Sequence, residues 1–152
     1  MTNIMPQADR MNRGAWLKTE MMVECWRQVQ PLTVFGGAVF MGDDNLGTMP
    51  SEWEGHDRSG WFLESHYVKN PAYFWKIIVS KATSKDKSAA IAFWMPNHES
   101  AKASKTQDYV VSLNQLESLL TLWGAPETFN IEGVDKDKVL PVWEDPSGCS
   151  RQ

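Results

Sequence analysis

The sequence predicts an α+β fold: an antiparallel sheet with flanking helices. Three observations carry that prediction. Helical and strand-like segments follow one another as helix, strand, two strands, helix and tail, without the strand–helix repeat of a parallel sheet. The two strongest strand candidates, 72–80 and 88–95, are joined by a turn-like stretch at 81–87 and read as a β-hairpin. Both helical segments carry apolar residues at helical spacing, so each has a face to bury.

The first helix is expected over 9–30. Asp9 is its candidate N-cap. Met11, Ala15, Met22, Trp26 and Val29 share a face, and Pro31 stops the run. A buried strand follows over 32–40, where Gly36-Gly37 marks a bulge or a close backbone approach. Residues 41–68, dotted with Gly, Asp, Asn, Pro and Ser, read as a long loop or insertion facing a partner or a function. After the hairpin, 97–107 is polar and loop-like, and 109–111 is a short strand candidate. Ser112 then opens a helix, with Gln115 three residues on completing a capping box. Leu113, Leu116, Leu119, Leu120 and Trp123 form its apolar face, and Gly124 is its stop. The region 125–152, with Pro126, Pro141 and Pro146, is an irregular tail.

Bulk properties narrow the function classes. The 152 residues suffice for one domain with a sizeable core. No apolar run is long enough to span a bilayer as a helix, and no signal segment is expected. The net charge of −4 and the pI of about 5.3 argue against a protein that holds nucleic acid by its overall field. The basic residues are scattered, apart from Lys81, Lys85 and Lys87. A local phosphate site in a cleft stays compatible with that charge. The two cysteines, Cys25 and Cys149, make neither a disulfide framework nor a metal spacing. One bridge and two buried thiols are both open readings. The 8 tryptophans fit an aromatic core or a contact surface.

The most specific signal lies in the first twenty residues. Thr2-Asn3-Ile4-Met5-Pro6-Gln7 is followed by Asn12-Arg13-Gly14-Ala15-Trp16 and then Glu20. In order and spacing this resembles the ββα-metal, non-specific DNA/RNA endonucleases, the family that includes mitochondrial endonuclease G. In that family a Ser/Thr-Asn-Ile-x-Pro-Gln motif precedes a helix bearing Asn-x-Gly-x-Trp and then Glu. Looser likenesses continue downstream at 34–40, at 70–79 (Asn70-Pro71-Ala72-Tyr73-Phe74-Trp75-Lys76-Ile77-Ile78-Val79), at 92–97 and at 109–117. The resemblance implies an incomplete ββα-metal nuclease fold over 1–124, with an insertion near 41–68 and the tail beyond.

The resemblance also implies roles. Asn12 would be the sole protein ligand of a Mg²⁺ ion, Glu20 would orient metal-bound water, and Asn3 would be a positioning group beside the metal. One amide oxygen can suffice, because Mg²⁺ keeps most of its waters and takes further oxygens from substrate phosphate. The substrates would be DNA and RNA, with little sequence preference. The compartment would be organellar, mitochondrial in the case of endonuclease G. The sequence departs from the family in one respect. The general-base histidine of an Asp-Arg-Gly-His motif, expected upstream of Asn3, is absent, along with the phosphate-binding arginine. Loss of a base costs about 10²- to 10⁴-fold in rate. His56, in Gly55-His56-Asp57-Arg58, echoes the motif in a different order and is a poor substitute; His66 and His98 lie in loop-like segments and read as structural.

Two functional expectations follow. In one, the chain is the C-terminal part of a Mg²⁺-dependent endonuclease, inactive by itself. In the other, it is a degenerate nuclease serving as a structural subunit or interaction module. Either way the sheet should keep an open edge and an uncovered apolar face, which another protein chain, or an N-terminal half, would cover.

Overall fold

The computed structural model describes residues 5–40, 61–63, 68–81 and 88–149. Helical backbone begins at Asp9–Met11 (α1), passes through a π-helical turn at Asn12–Trp16, and continues as Leu17–Trp26 (α2). Strand β1 (Leu32–Phe40) follows, then the short pair β2 (Trp61–Leu63) and β3 (Val68–Lys69). The hairpin strands are β4 (Pro71–Ser80) and β5 (Ala89–Pro96). A 3₁₀ turn at Ala103–Tyr109 leads through β6 (Val110–Val111) into α3 (Leu113–Leu122). Four strands form an antiparallel sheet in the order β1-β4-β5-β6. The fold is a mixed α+β architecture, as the sequence predicts.

Around β4 and β5 the sheet is covered on both faces, against the expectation of an uncovered apolar face there, which explains why the sequence of β4 runs apolar almost without interruption. Successive side chains of a strand point to opposite faces. Tyr73, Ile77 and Val79 of β4 and Ala90, Ala92 and Trp94 of β5 therefore pack with Leu113, Leu116, Leu120 and Trp123 of the α3 side. Phe74 and Ile78, with Ile91, Phe93 and Met95, pack with Met11, Ala15 and Met22 of the first helix. The Ser112 cap is made as expected: its hydroxyl accepts from the Gln115 N–H, and the Gln115 side chain accepts from the Ser112 N–H. Indole rings fill much of this core, with Trp94 and Trp123 buried and Trp16, Trp26, Trp75 and Trp143 packed at its margins.

Several expectations need correction. The first helix ends at Trp26, and Val29 is exposed, because nothing packs against it there. Its N-cap is Ala8, without a side-chain bond; Asp9 is the first helical residue and pairs instead with Arg13 one turn on. Apart from Val39, strand β1 is not buried. It is an edge strand with Val34 and Phe35 each 43% exposed. Its Gly36-Gly37 pair makes no bulge; the register with β4 is unbroken there. A Cβ on Gly37 would lie 2.7 Å from the Trp75 indole nitrogen, so the glycine serves close approach. Within the expected loop 41–68, β2 and β3 pair with each other, while 41–60 and 64–67 lie outside the described residues. The loop-like 97–107 contains most of the 3₁₀ turn.

The tail has no helix or strand through Cys149, yet it is packed. Phe129, Ile131 and Val134 lie against the α3 cluster, and Val142 and Trp143 against the first-helix cluster. Glu117 of α3 accepts from the Phe129 N–H at 2.7 Å and pairs with Lys136. The Trp26 indole donates to the Glu144 carbonyl at 2.9 Å and meets Trp143 edge to face. Cys25 and Cys149 are joined as a disulfide, which resolves the two open readings in favour of a bridge.

Candidate metal centre on the first helix

The segment before the helix is fixed by one side chain. Asn97, just past β5, accepts from the Ala8 N–H at 2.7 Å and donates to the carbonyls of Pro6 and Pro71 and to Asn70 Oδ1. It thereby ties the segment leading into α1 to the ends of β4 and β5. Asn12 then begins the π turn. The Leu17 N–H reaches back to the Asn12 carbonyl, five residues away, as well as to that of Gly14. Gly14 departs from helical geometry (φ −112°, ψ −107°). The Ala15 N–H leaves the helix and donates to the Ala101 carbonyl at 3.1 Å. Single π turns within α-helices are frequent at functional positions.

The exposed side of this helix carries Asn12 and Glu20. Among the described residues, no hydrogen bond engages the Asn12 carboxamide or the Glu20 carboxylate. Asn3 lies outside the described residues, as do His56 and His66. His98 Nδ1 is engaged with Ser100, within the loop after β5.

Beneath the helix lies a feature the sequence reading did not assign. Lys76, in the middle of β4, is only 6% exposed. Its Nζ donates to Thr19 Oγ1 at 2.8 Å and stands 3.7 Å from the centroid of the Trp16 ring. Thr19 in turn donates to the Trp16 carbonyl, so its hydroxyl is used in both directions. Burial pushes the Lys76 ammonium down from 10.5 to about 8, partly offset by the negative charge of Glu20. Trp16 also packs on Phe74, with ring centroids 5.5 Å apart. The Trp of the Asn-x-Gly-x-Trp motif is thus the seat of the helix on the sheet. A lone charge inside an apolar strand was the signal in the sequence, and a mid-helix glycine was the signal for the π turn.

The model of the DNA/RNA non-specific endonucleases matches residues 1–125. The chain belongs to this family. No curated protein matches it. Family members generally use a divalent metal. The match takes in the whole first helix, the four-stranded sheet and α3, and ends where the tail of this nuclease-family chain begins. Among the described residues, no group of three or more His, Cys, Asp or Glu side chains converges on a metal position. Among the same residues, no helix is long and apolar enough to cross a membrane.

Proposed function

We propose that the chain carries the metal half of an endonuclease site. Asn12 holds a Mg²⁺ ion through its amide oxygen, Glu20 orients water on that ion, and Asn3 stands beside it. The supporting observation is the pair of exposed oxygen donors, neither hydrogen-bonded among the described residues, on one helix whose backbone is locked to the sheet from below. The donor chemistry fits: a hard cation that keeps several waters needs only one or two protein oxygens. The spacing supports one direct ligand and one group acting through water. Residues two turns apart are separated by about 10 Å along the axis, too far for both to reach one ion at about 2.1 Å. One must act through water. The bound ion would stabilise the charge developing on the scissile phosphate and on the leaving 3′ oxygen.

Residues 1–152 contain no Asp-Arg-Gly-His, and His98 is engaged in its own loop. A polypeptide of these residues is therefore proposed to bind metal but to hydrolyse DNA and RNA about 10²- to 10⁴-fold more slowly than an enzyme with its base. Another chain is proposed to pair with the outer edge of β1, whose nine residues carry no charge. The test is a Mn²⁺ titration of the intact chain followed by NMR line broadening. Binding should broaden Asn12 and Glu20 first, and Asn12→Ala should weaken it at least about 10-fold. Equal affinity in the variant sinks the metal reading.

The packed, disulfide-tethered tail beyond the family match supports a second reading, a degenerate nuclease kept as an interaction module. Mg²⁺-dependent plasmid nicking that is abolished by EDTA and by Asn12→Ala would overturn that second reading.

A further inference from the structure

In a regular α-helix, Asn12 and Glu20 would point in directions well offset from one another. Eight residues at 3.6 per turn rotate about 80° past two full turns. Here two helical segments meet across a kink at Gly14 with one extra residue in the turn; an ideal π turn of this kind would bring the pair to the relation of positions seven apart, which differ by only about 20°. Asn12, Glu20 and Arg27 are exposed and Glu24 is half-buried, whereas Met11, Ala15, Thr19 and Met22 are buried.

At the π turn two backbones approach closely. A Cβ on Gly14 would lie 2.9 Å from the Ala101 carbonyl oxygen, 3.1 Å from the Ala103 nitrogen and 3.1 Å from Lys102 Cα. All three are main-chain atoms and cannot swing aside. The loop that supplies them is itself held: the Ala101 N–H donates to the His98 carbonyl, and the Tyr109 hydroxyl donates to the Ser100 carbonyl. The Ala101 carbonyl fills the gap in the helical ladder by accepting from Ala15.

We propose that Gly14 is a positioning residue: by admitting the Ala101–Ala103 backbone, it opens the helix into a π turn that rotates Asn12 onto the face of Glu20. The proposal rests on the metal reading of Asn12 and Glu20 for its consequence, but not for its geometry. Because the loop is held by its own hydrogen bonds, alanine at position 14 closes the turn, which carries Asn12 about 80° from Glu20. Deleting Gly14 removes the extra residue altogether. Asn12 and Glu20 are then seven apart in a regular helix and stay aligned.

The intact chain serves for the test. In the wild type, a through-hydrogen-bond NMR coupling should connect the Leu17 N–H to the Asn12 carbonyl; its absence overturns the proposal. Gly14→Ala should lose that coupling and bind Mn²⁺ about 10-fold more weakly, whereas the Gly14 deletion should keep near wild-type affinity. Nitroxides on Asn12→Cys/Glu20→Cys report the phase without any metal. Their dipolar broadening should weaken in the Gly14→Ala background and persist in the deletion background. Wild-type broadening in Gly14→Ala, or its loss in the deletion, overturns the proposal. A wild type that shows the coupling yet binds no Mn²⁺ defeats the metal reading alone and leaves the positioning role standing.

Discussion

On the α3 side of the sheet, the helix itself follows local rules: a capping box, an apolar face at regular spacing, and aromatic rings packed on β4 and β5. On the first-helix side the same sheet supports a helix without a side-chain cap, interrupted by a π turn and seated over a buried ammonium. The first arrangement is what stability alone would select. The second spends stability on placement. A buried charge without a carboxylate bonded to it is costly, and a broken ladder has to be completed by a tertiary bond. Irregularity is thus concentrated where the candidate metal residues lie, as expected when a sequence departs from consistency at a functional site.

The comparison can be tested from the largest expected effect downward. Leu116 is fully buried on the regular face. Leu116→Ala should lower the unfolding free energy by about 2–5 kcal/mol in urea. A loss under 1 kcal/mol would show that the α3 face is not the stabilising one. Lys76 should behave in the opposite sense. Below pH 8 both folded and unfolded chains hold the ammonium, and its full burial cost is present. Between about 8 and 10.5 the unfolded chain alone keeps the proton, so stability rises with pH. The rise should reach about 3 kcal/mol, and Lys76→Met should abolish it while remaining as stable as the wild type at pH 7, or more so. A variant that is destabilised at neutral pH would show that Lys76 strengthens the fold it sits in. The smallest effect is expected at the cap. Ser112→Ala should cost about 1 kcal/mol, while Asp9→Ala, at the uncapped helix, should change less.

The regular face was legible in the sequence and the irregular one only in part. Ser112, Gln115 and the leucines that follow act through neighbours three or four residues away, so a linear reading captures them. The hairpin strands were legible for the same reason, since alternation and turn residues are local. Lys76, Asn97 and Gly14 act through partners far along the chain: Thr19, Ala8 and Ala101. No spacing rule relates position 76 to position 19. Within the motif Asn12-x-Gly-x-Trp the sequence points to a role for Asn12 alone, and the parts of Gly14 and Trp16 depend on the loop at 98–103 and on β4. The edge position of β1 was missed because an apolar nonapeptide reads as buried whether or not a neighbour covers it.

The bridge between Cys25 and Cys149 spans 124 positions of the chain and joins α2 to the end of the tail. A single cleavage of the backbone anywhere between these two residues therefore cannot release a fragment. The pieces stay covalently joined until the bridge is reduced, so a nicked molecule would migrate as one species on a denaturing gel without reductant and as two with it. The helix carrying Asn12 and Glu20 would keep its hold on the tail through such a cut.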